Sequence, residues 1–404
     1  MTAARRRVVG IAATVGVLLG LDAAPAARAD IDDLFQPLID VLSAVDPGIA
    51  ADTDPGAALA SLDTLFDGWY QNLVYTPIND LEQWVFGGAA DAGVAGSAAA
   101  SGLAATIPDT FTVPLQVNAA TEPVVDISVG GGAAVPVLVD TGSSGLTIPI
   151  SDINWAGITG LPTGFNLGQY GGSLDYFYAE LPTTVTFTDA AGATVTADST
   201  VDAVLFAFPA DFNLFGPWSI GDYLGPANVD GVLGIGAHAI GPSPDNIPTA
   251  DLPGDLGNGV LLDQANGNMI FGDNPLTAGT TVDGSPYATL LVSIDGQPPQ
   301  SVSAVIDSGG VYGTMPSSVL GNVTPTAGGY LPDGTTVQVY SADGSTLLYS
   351  YTVNSATAGS LSPSVISGDG ATMNTGNIPF AQQPVYISYT NGSTIFGGSN
   401  AIEL

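Results

Sequence analysis

Two short stretches of this chain can do acid–base chemistry together: Asp140-Thr-Gly-Ser-Ser and Asp307-Ser-Gly-Gly. Each aspartate closes an apolar run, Val135-Pro-Val-Leu-Val before Asp140 and Ala304-Val-Ile before Asp307. Each is followed by a small hydroxyl residue and then a glycine. An apolar run that stops at a polar turn reads as a strand delivering its last side chain to a loop. Two carboxylates brought close together cannot both ionise. They share a proton, and the pair can act as acid and base at once. A single Asp-x-Gly is an ordinary turn signal, so the argument rests on the pair and on its context.

That context repeats. The first copy runs Val124-Val-Asp-Ile-Ser-Val, Gly130-Gly-Gly, Val135 to Asp140, and Leu146-Thr-Ile-Pro. The second runs Leu290-Leu-Val-Ser-Ile, Asp295-Gly, Ser301 to Asp307, and Gly313-Thr-Met-Pro. Each is a hairpin leading into an aspartate turn and then into a strand that ends in proline. A later apolar-apolar-Gly element follows each aspartate: Val232-Leu233-Gly234, 94 residues beyond Asp140, and Ile395-Phe396-Gly397, 90 residues beyond Asp307. Matched spacing predicts two lobes related by a pseudo-two-fold axis that sets Asp140 and Asp307 face to face.

The elements that must carry these turns are strands. From about residue 109, short Val/Ile/Thr/Phe runs alternate with Gly, Pro, Asn and Asp turns, which predicts a mostly β domain with lobes over 109–260 and 261–404. Upstream the pattern differs. Ile31, Leu34, Phe35 and Leu38, and then Leu59, Leu62, Phe66 and Trp69, recur at helical spacing and predict a small helical module over 30–86. Residues 87–108 are rich in Ala, Gly and Ser and read as a flexible linker. Residues 1–29 read as a signal peptide: Arg5, Arg6 and Arg7, an apolar stretch from Val8 to Leu21, and a small-x-small cleavage site at Ala27-Arg28-Ala29. A secreted or cell-envelope protein is expected, with no transmembrane span once the leader is removed.

Composition narrows the chemistry. The chain holds 38 acidic residues and four basic ones, the latter being Arg5, Arg6, Arg7 and Arg28. Loss of the leader removes all four and only one acid, Asp22. A protein without Lys or Arg makes no ordinary salt bridges and has no electrostatic affinity for nucleic acid or anionic membranes. Its carboxylates repel one another at neutral pH, so tolerance of acid is expected. Cysteine is absent, which excludes disulfides, thiolate metal sites and a cysteine nucleophile. The single histidine, His238, cannot build a multi-histidine metal site and has no nucleophile elbow beside it.

Through Asp140-Thr141-Gly142-Ser143-Ser144, Asp230-Gly-Val-Leu-Gly234, Met269-Ile-Phe-Gly-Asp273 and Asp307-Ser308-Gly309-Gly310, the region 109–404 resembles the pepsin-like aspartic proteases. It resembles in particular the protease domains of mycobacterial PE-PGRS proteins. The resemblance implies a bilobal, mainly β fold with a long cleft in which an extended polypeptide lies as an added strand. It implies an aspartic endopeptidase in which Asp140 and Asp307 activate water, with no cofactor and no metal. Thr141 and Ser308 would cross-bond the two loops beneath the dyad. Gly142 and Gly309 would allow the backbones to approach closely. Ser143 would bond the outer oxygen of Asp140, whereas the matching Gly310 has no hydroxyl, which predicts a raised acidic limb for the pair. Tyr170-Gly171 is the candidate flap, with Tyr176 and Tyr178 as rivals. Thr147 stands where many relatives carry a tryptophan that bonds the flap, and Trp155 is a nearby substitute.

Polypeptide substrates are therefore expected, among them other exported envelope proteins. A monomer is expected, because one chain supplies both aspartates. Two other readings compete: a catalytically inactive pepsin-like peptide-binding protein, and an acidic envelope surface protein.

Overall fold

The computed structural model describes residues 109–118, 121–210, 216–356, 362–368 and 370–398. The expected signal peptide (1–29), helical module (30–86) and linker (87–108) lie outside the described residues. The chain divides into two compact units. The larger comprises Ser101–Thr163, Ala179–Val204 and Ser219–Leu404; the smaller includes Gly164–Tyr178 and Leu205–Trp218.

Most regular elements of the larger unit are strands. Its first half opens with the antiparallel pair Pro123–Val129 and Ala134–Asp140, in register Val124 to Leu138 through Ser128 to Ala134. The strand Gly231–Ile235 then lies parallel to Ala134–Asp140, with Asp140 opposite Gly234. On its other side it is antiparallel to Ser144–Pro149. Strand 231–235 thus fills the space between the two strands that flank the Asp140 turn. All five of its residues are buried, as expected of a central strand covered on both faces.

The second half repeats the plan. Tyr287–Ile294 pairs antiparallel with Gln300–Val305. Met373–Asn374 lies parallel to Gln300–Val305, with Val305 opposite Asn374, and antiparallel to Thr314–Pro316. The strand that fills the second turn is therefore not Ile395-Phe396-Gly397. Ser393–Phe396 pairs instead with Val385–Ser388 and Thr280–Asp283. The segment equivalent to Val232-Leu233-Gly234 is Asn374-Thr375-Gly376. Hydrophobic patterning overlooked it because two of its three residues are polar and face the aspartate loop.

A six-stranded sheet joins the halves, in the order Thr110–Pro114, Asn268–Gly272, Gly259–Asp263, Val385–Ser388, Ser393–Phe396, Thr280–Asp283. The boundary expected between residues 260 and 261 falls inside one of its strands, Gly259–Asp263, so neither lobe owns this sheet. Phe187 and Phe271, both fully buried, meet edge to face at 4.8 Å and tie the first half's sheet to it. Helices are few: among the described residues the α-helices are Ile220–Leu224 and Ile378–Gln382. None is long and apolar enough to cross a membrane.

One buried acid stands out in the first half. Asp202, opposite Thr147 in a parallel pairing, is wholly shielded from solvent. One of its oxygens accepts a 2.6 Å hydrogen bond from Ser243 Oγ, and the other has no partner. Burial pushes its carboxyl up to about 7; the Ser243 bond opposes this and the charge of Glu180 adds to it. The native state therefore holds this proton more tightly than the unfolded chain does. Its contribution to stability falls as pH rises from about 4 to about 7. Asp202→Asn, which imitates the protonated acid, should stabilise the protein by about 2 kcal/mol at pH 7.5 and have little effect at pH 4. Denaturant titrations at the two pH values measure the difference.

Candidate active site

The two aspartate turns come together in the larger unit. Each side chain is held first by its own loop: Gly142 N–H donates to Asp140 Oδ1 at 2.7 Å, and Gly309 N–H donates to Asp307 Oδ1 at 3.0 Å. The two carboxylates lie close enough to interact directly, by charge and by hydrogen bonding. Burial drives Asp307 well above the usual carboxylate range, and the Asp140 charge and the bond between the two acids push it further. The donors Asn374 and Gly309 pull it back.

Beneath the carboxylates the loops are cross-linked reciprocally. Thr141 Oγ1 donates to Ile306 O at 2.7 Å and accepts from Ser308 N at 2.8 Å. Ser308 Oγ donates to Val139 O at 2.7 Å and accepts from Thr141 N at 3.0 Å. Both side chains are fully buried. Each hydroxyl thus spends its proton and a lone pair on the opposite loop. The loss of one methyl between Thr141 and Ser308 leaves this pattern intact.

Gly142 and Gly309 are needed because the turns meet so closely. A Cβ at Gly142 would sit 2.7 Å from Asp307 Cγ, and one at Gly309 would sit 3.0 Å from Asp140 Cγ. Any side chain at either position would wedge the pair apart.

The outer oxygens are treated differently in the two halves. Ser143 Oγ donates to Asp140 Oδ2 at 2.6 Å. The expectation that Gly310 leaves Asp307 short of a donor does not hold. Asn374 Nδ2 donates to Asp307 Oδ2 at 2.5 Å from a different strand. Next to it, Thr375 Oγ1 accepts from Asp307 N at 3.0 Å. Sequence reasoning missed both residues. The available signal was a polar pair, Asn-Thr, before a glycine at the place where a duplicated lobe calls for apolar residues. Glu122 was also missed: it is buried, its carboxyl is raised chiefly by that burial, and it lies within the field of Asp140.

The flap candidate lies in the smaller unit. Gly164–Tyr170 turns back into Leu174–Thr188 through Gly171 and Gly172, both at positive φ (54° and 65°), closed by Ser173 N–H to Tyr170 O at 3.1 Å. This is a tight hairpin of the type that takes glycine at both central positions. Tyr170 stands at its tip, half-exposed, its ring stacked on Tyr176 at 5.1 Å. The rivals Tyr176 and Tyr178 are buried within the strand. Trp155 opens a short 3-10 turn, Trp155–Gly157, in the larger unit. Thr147 is buried in the sheet.

Comparison with known proteins gives the family and the fold. The family model of the PE-PGRS C-terminal aspartyl peptidase-like domain matches residues 111–396. This chain belongs to that family. It is 42% identical over 313 residues to PE cleavage protein A of Mycobacterium tuberculosis, a match covering 71% of this chain and 52% of that protein. It is 40% identical over 306 residues to PE cleavage protein A of Mycobacterium marinum, with the same coverage. The chain thus spans about half the length of the curated relatives it matches. Among solved structures, an aspartic proteinase from Irpex lacteus is similar with a TM-score of 0.50 at 15% identity, covering 72% of this chain and 98% of that one. That likeness establishes the pepsin-like fold and no more.

Thr141→Val and Ser308→Ala each remove two buried hydrogen bonds and strand backbone partners of the opposite loop. Each should cost about 2 kcal/mol of stability, read from denaturant midpoints.

Proposed function

We propose that this protein is a secreted aspartic endopeptidase that hydrolyses peptide bonds with water activated between Asp140 and Asp307. The observation that carries the reading is the close approach of the two aspartate loops above the reciprocal Thr141–Ser308 cross-link. In the singly protonated state, the ionised carboxylate takes a proton from a water held between the two acids while the water oxygen bonds to the scissile carbonyl carbon and the C=O π pair moves onto the carbonyl oxygen. The protonated one donates a hydrogen bond to the carbonyl oxygen as charge develops there. The proton gained from water then passes to the leaving nitrogen as the tetrahedral intermediate collapses. Every proton moves between water, the two acids and the substrate, so the cycle closes without a covalent intermediate.

The substrate is an extended polypeptide. The name of the relatives, PE cleavage protein A, says that they cleave PE proteins. We extend that to this chain and assign it exported PE-type proteins as substrates. The apolar leader expected at 1–29 supports a place of action outside the cytoplasm or at the cell envelope. The presence of both aspartates in one chain supports a monomer. The hairpin bearing Tyr170 and Gly171 is the flap of this reading, and residues 30–108 are an accessory module and linker.

Purified protein should cleave an apolar-rich unfolded substrate in mildly acidic buffer. Asp140→Asn and Asp307→Asn should each lower kcat by at least about a thousandfold, the scale expected when one member of a concerted acid–base pair is lost. A folded wild-type protein that cleaves nothing between pH 3 and 7 would overturn the assignment and leave a peptide-binding module. Substrate capture by the Asn variants would then report that function.

A further inference from the structure

The two halves of the site satisfy their aspartates from different places, and the difference lies in a strand rather than in the catalytic loop. In the first half, Leu138, two residues before Asp140, lies opposite Val232, a core residue. In the second half, Val305, two residues before Asp307, lies opposite Asn374. A polar side chain thus stands where pseudo-symmetry places an apolar one. Its amide is oriented from behind: Asn374 Oδ1 accepts from Gly376 N at 2.8 Å. That bond leaves Nδ2 as the end facing Asp307 Oδ2, at 2.5 Å. The strand is pinned further by Asn374 N–H to Thr314 Oγ1 at 3.0 Å. Gly310 belongs to the same arrangement. A Cβ built there would lie 2.5 Å from Asn374 Oδ1 and 2.8 Å from Asp307 Oδ2. The asparagine amide occupies the room that a side chain at position 310 would need.

Taking the dyad chemistry proposed above as its basis, we infer that Asn374 is the positioning residue of Asp307. It supplies from the neighbouring strand the hydrogen bond that Ser143 supplies to Asp140 from within its own loop, and Gly310 is the vacancy that admits it. A donor to a carboxylate favours its ionised form. A donor fixed by its own backbone bond also holds the carboxylate plane against its partner. Asn374 touches neither water nor substrate in this role. It acts through Asp307 on the pH at which the pair first loses a proton and on the alignment of the two acids.

The test is Asn374→Leu, close in shape and without a donor, beside Asn374→Asp, which keeps an oxygen for Gly376 N–H but turns another oxygen toward Asp307. The acidic limb of the pH–kcat/KM profile should move up by about one pH unit in the Leu variant, and further in the Asp variant. kcat should fall more than KM rises. Carbon-13 NMR titration of aspartate-labelled protein, with the Asp307 signal assigned through Asp307→Asn, should show the same upward shift whether or not the protein turns over. Profiles and titrations that superimpose on those of wild type, in a variant whose thermal midpoint shows it to be folded, would overturn the inference. If the Leu variant does not fold, the Asp variant decides on the same readouts. A wild-type protein without activity at any pH would sink the proposed hydrolysis, while the carboxyl titration would still decide the role of Asn374.

Discussion

The arrangement depends on keeping two acids in contact that electrostatics would separate. Isolated on their strand ends, Asp140 and Asp307 would repel once ionised. Four hydrogen bonds between Thr141, Ser308 and the backbones of Val139 and Ile306 remove that freedom. They are buried, so breaking any one strands a polar group away from water. Because the bonds are reciprocal, each loop is the other's scaffold. The cost of holding the carboxylates together appears as a raised proton affinity at Asp307, driven first by burial and then by the Asp140 charge.

The strands around the turns follow from that demand. A loop can hold a side chain to a fraction of an ångström only when both of its flanks are clamped. Here each flank pairs with the same inserted strand, Gly231–Ile235 in one half and Met373–Asn374 in the other. The six-stranded sheet draws its strands from both halves. The second loop carries the marks of this constraint. Val311, a β-branched residue, is held at φ 27°, a conformation such residues rarely adopt without support. Its carbonyl accepts from Asn377 N at 3.3 Å, so the same segment that brings Asn374 also steadies the strained turn.

Electrostatics outside the site point the same way. The described residues contain acids and no Lys or Arg, so no lysine or arginine is at hand to draw the pKa of a buried carboxyl down. Hydroxyl, amide and backbone N–H donors take that part instead: Ser143, Asn374, Gly142 and Gly309 at the dyad, and Ser243 at Asp202. Neutral donors stabilise a carboxylate less than a cation would. Asp202 and Asp307 accordingly stay above the usual carboxylate range.

The sequence by itself determined the pair of aspartates, the hydroxyl and glycine beside each, and a duplicated β plan. Those features are local: an apolar run, a turn and a small residue must be adjacent in the chain to work, so they are legible in order. It also marked Tyr170-Gly171 as a candidate hairpin, because the strand pattern resumes beyond it; the positive φ of Gly171 and Gly172 appears only in the structure. Tertiary structure alone decided which strand fills the second turn. Ile395-Phe396-Gly397 had the expected composition, yet it belongs to the shared sheet. Asn374-Thr375-Gly376 has the expected place because its polar side chains face Asp307 and so break the apolar pattern. The same holds for Asp202, whose lone hydroxyl partner lies 41 residues away. A hydrogen bond to a carboxylate depends on where an atom lies in space, and sequence spacing carries no trace of it once the donor comes from another strand.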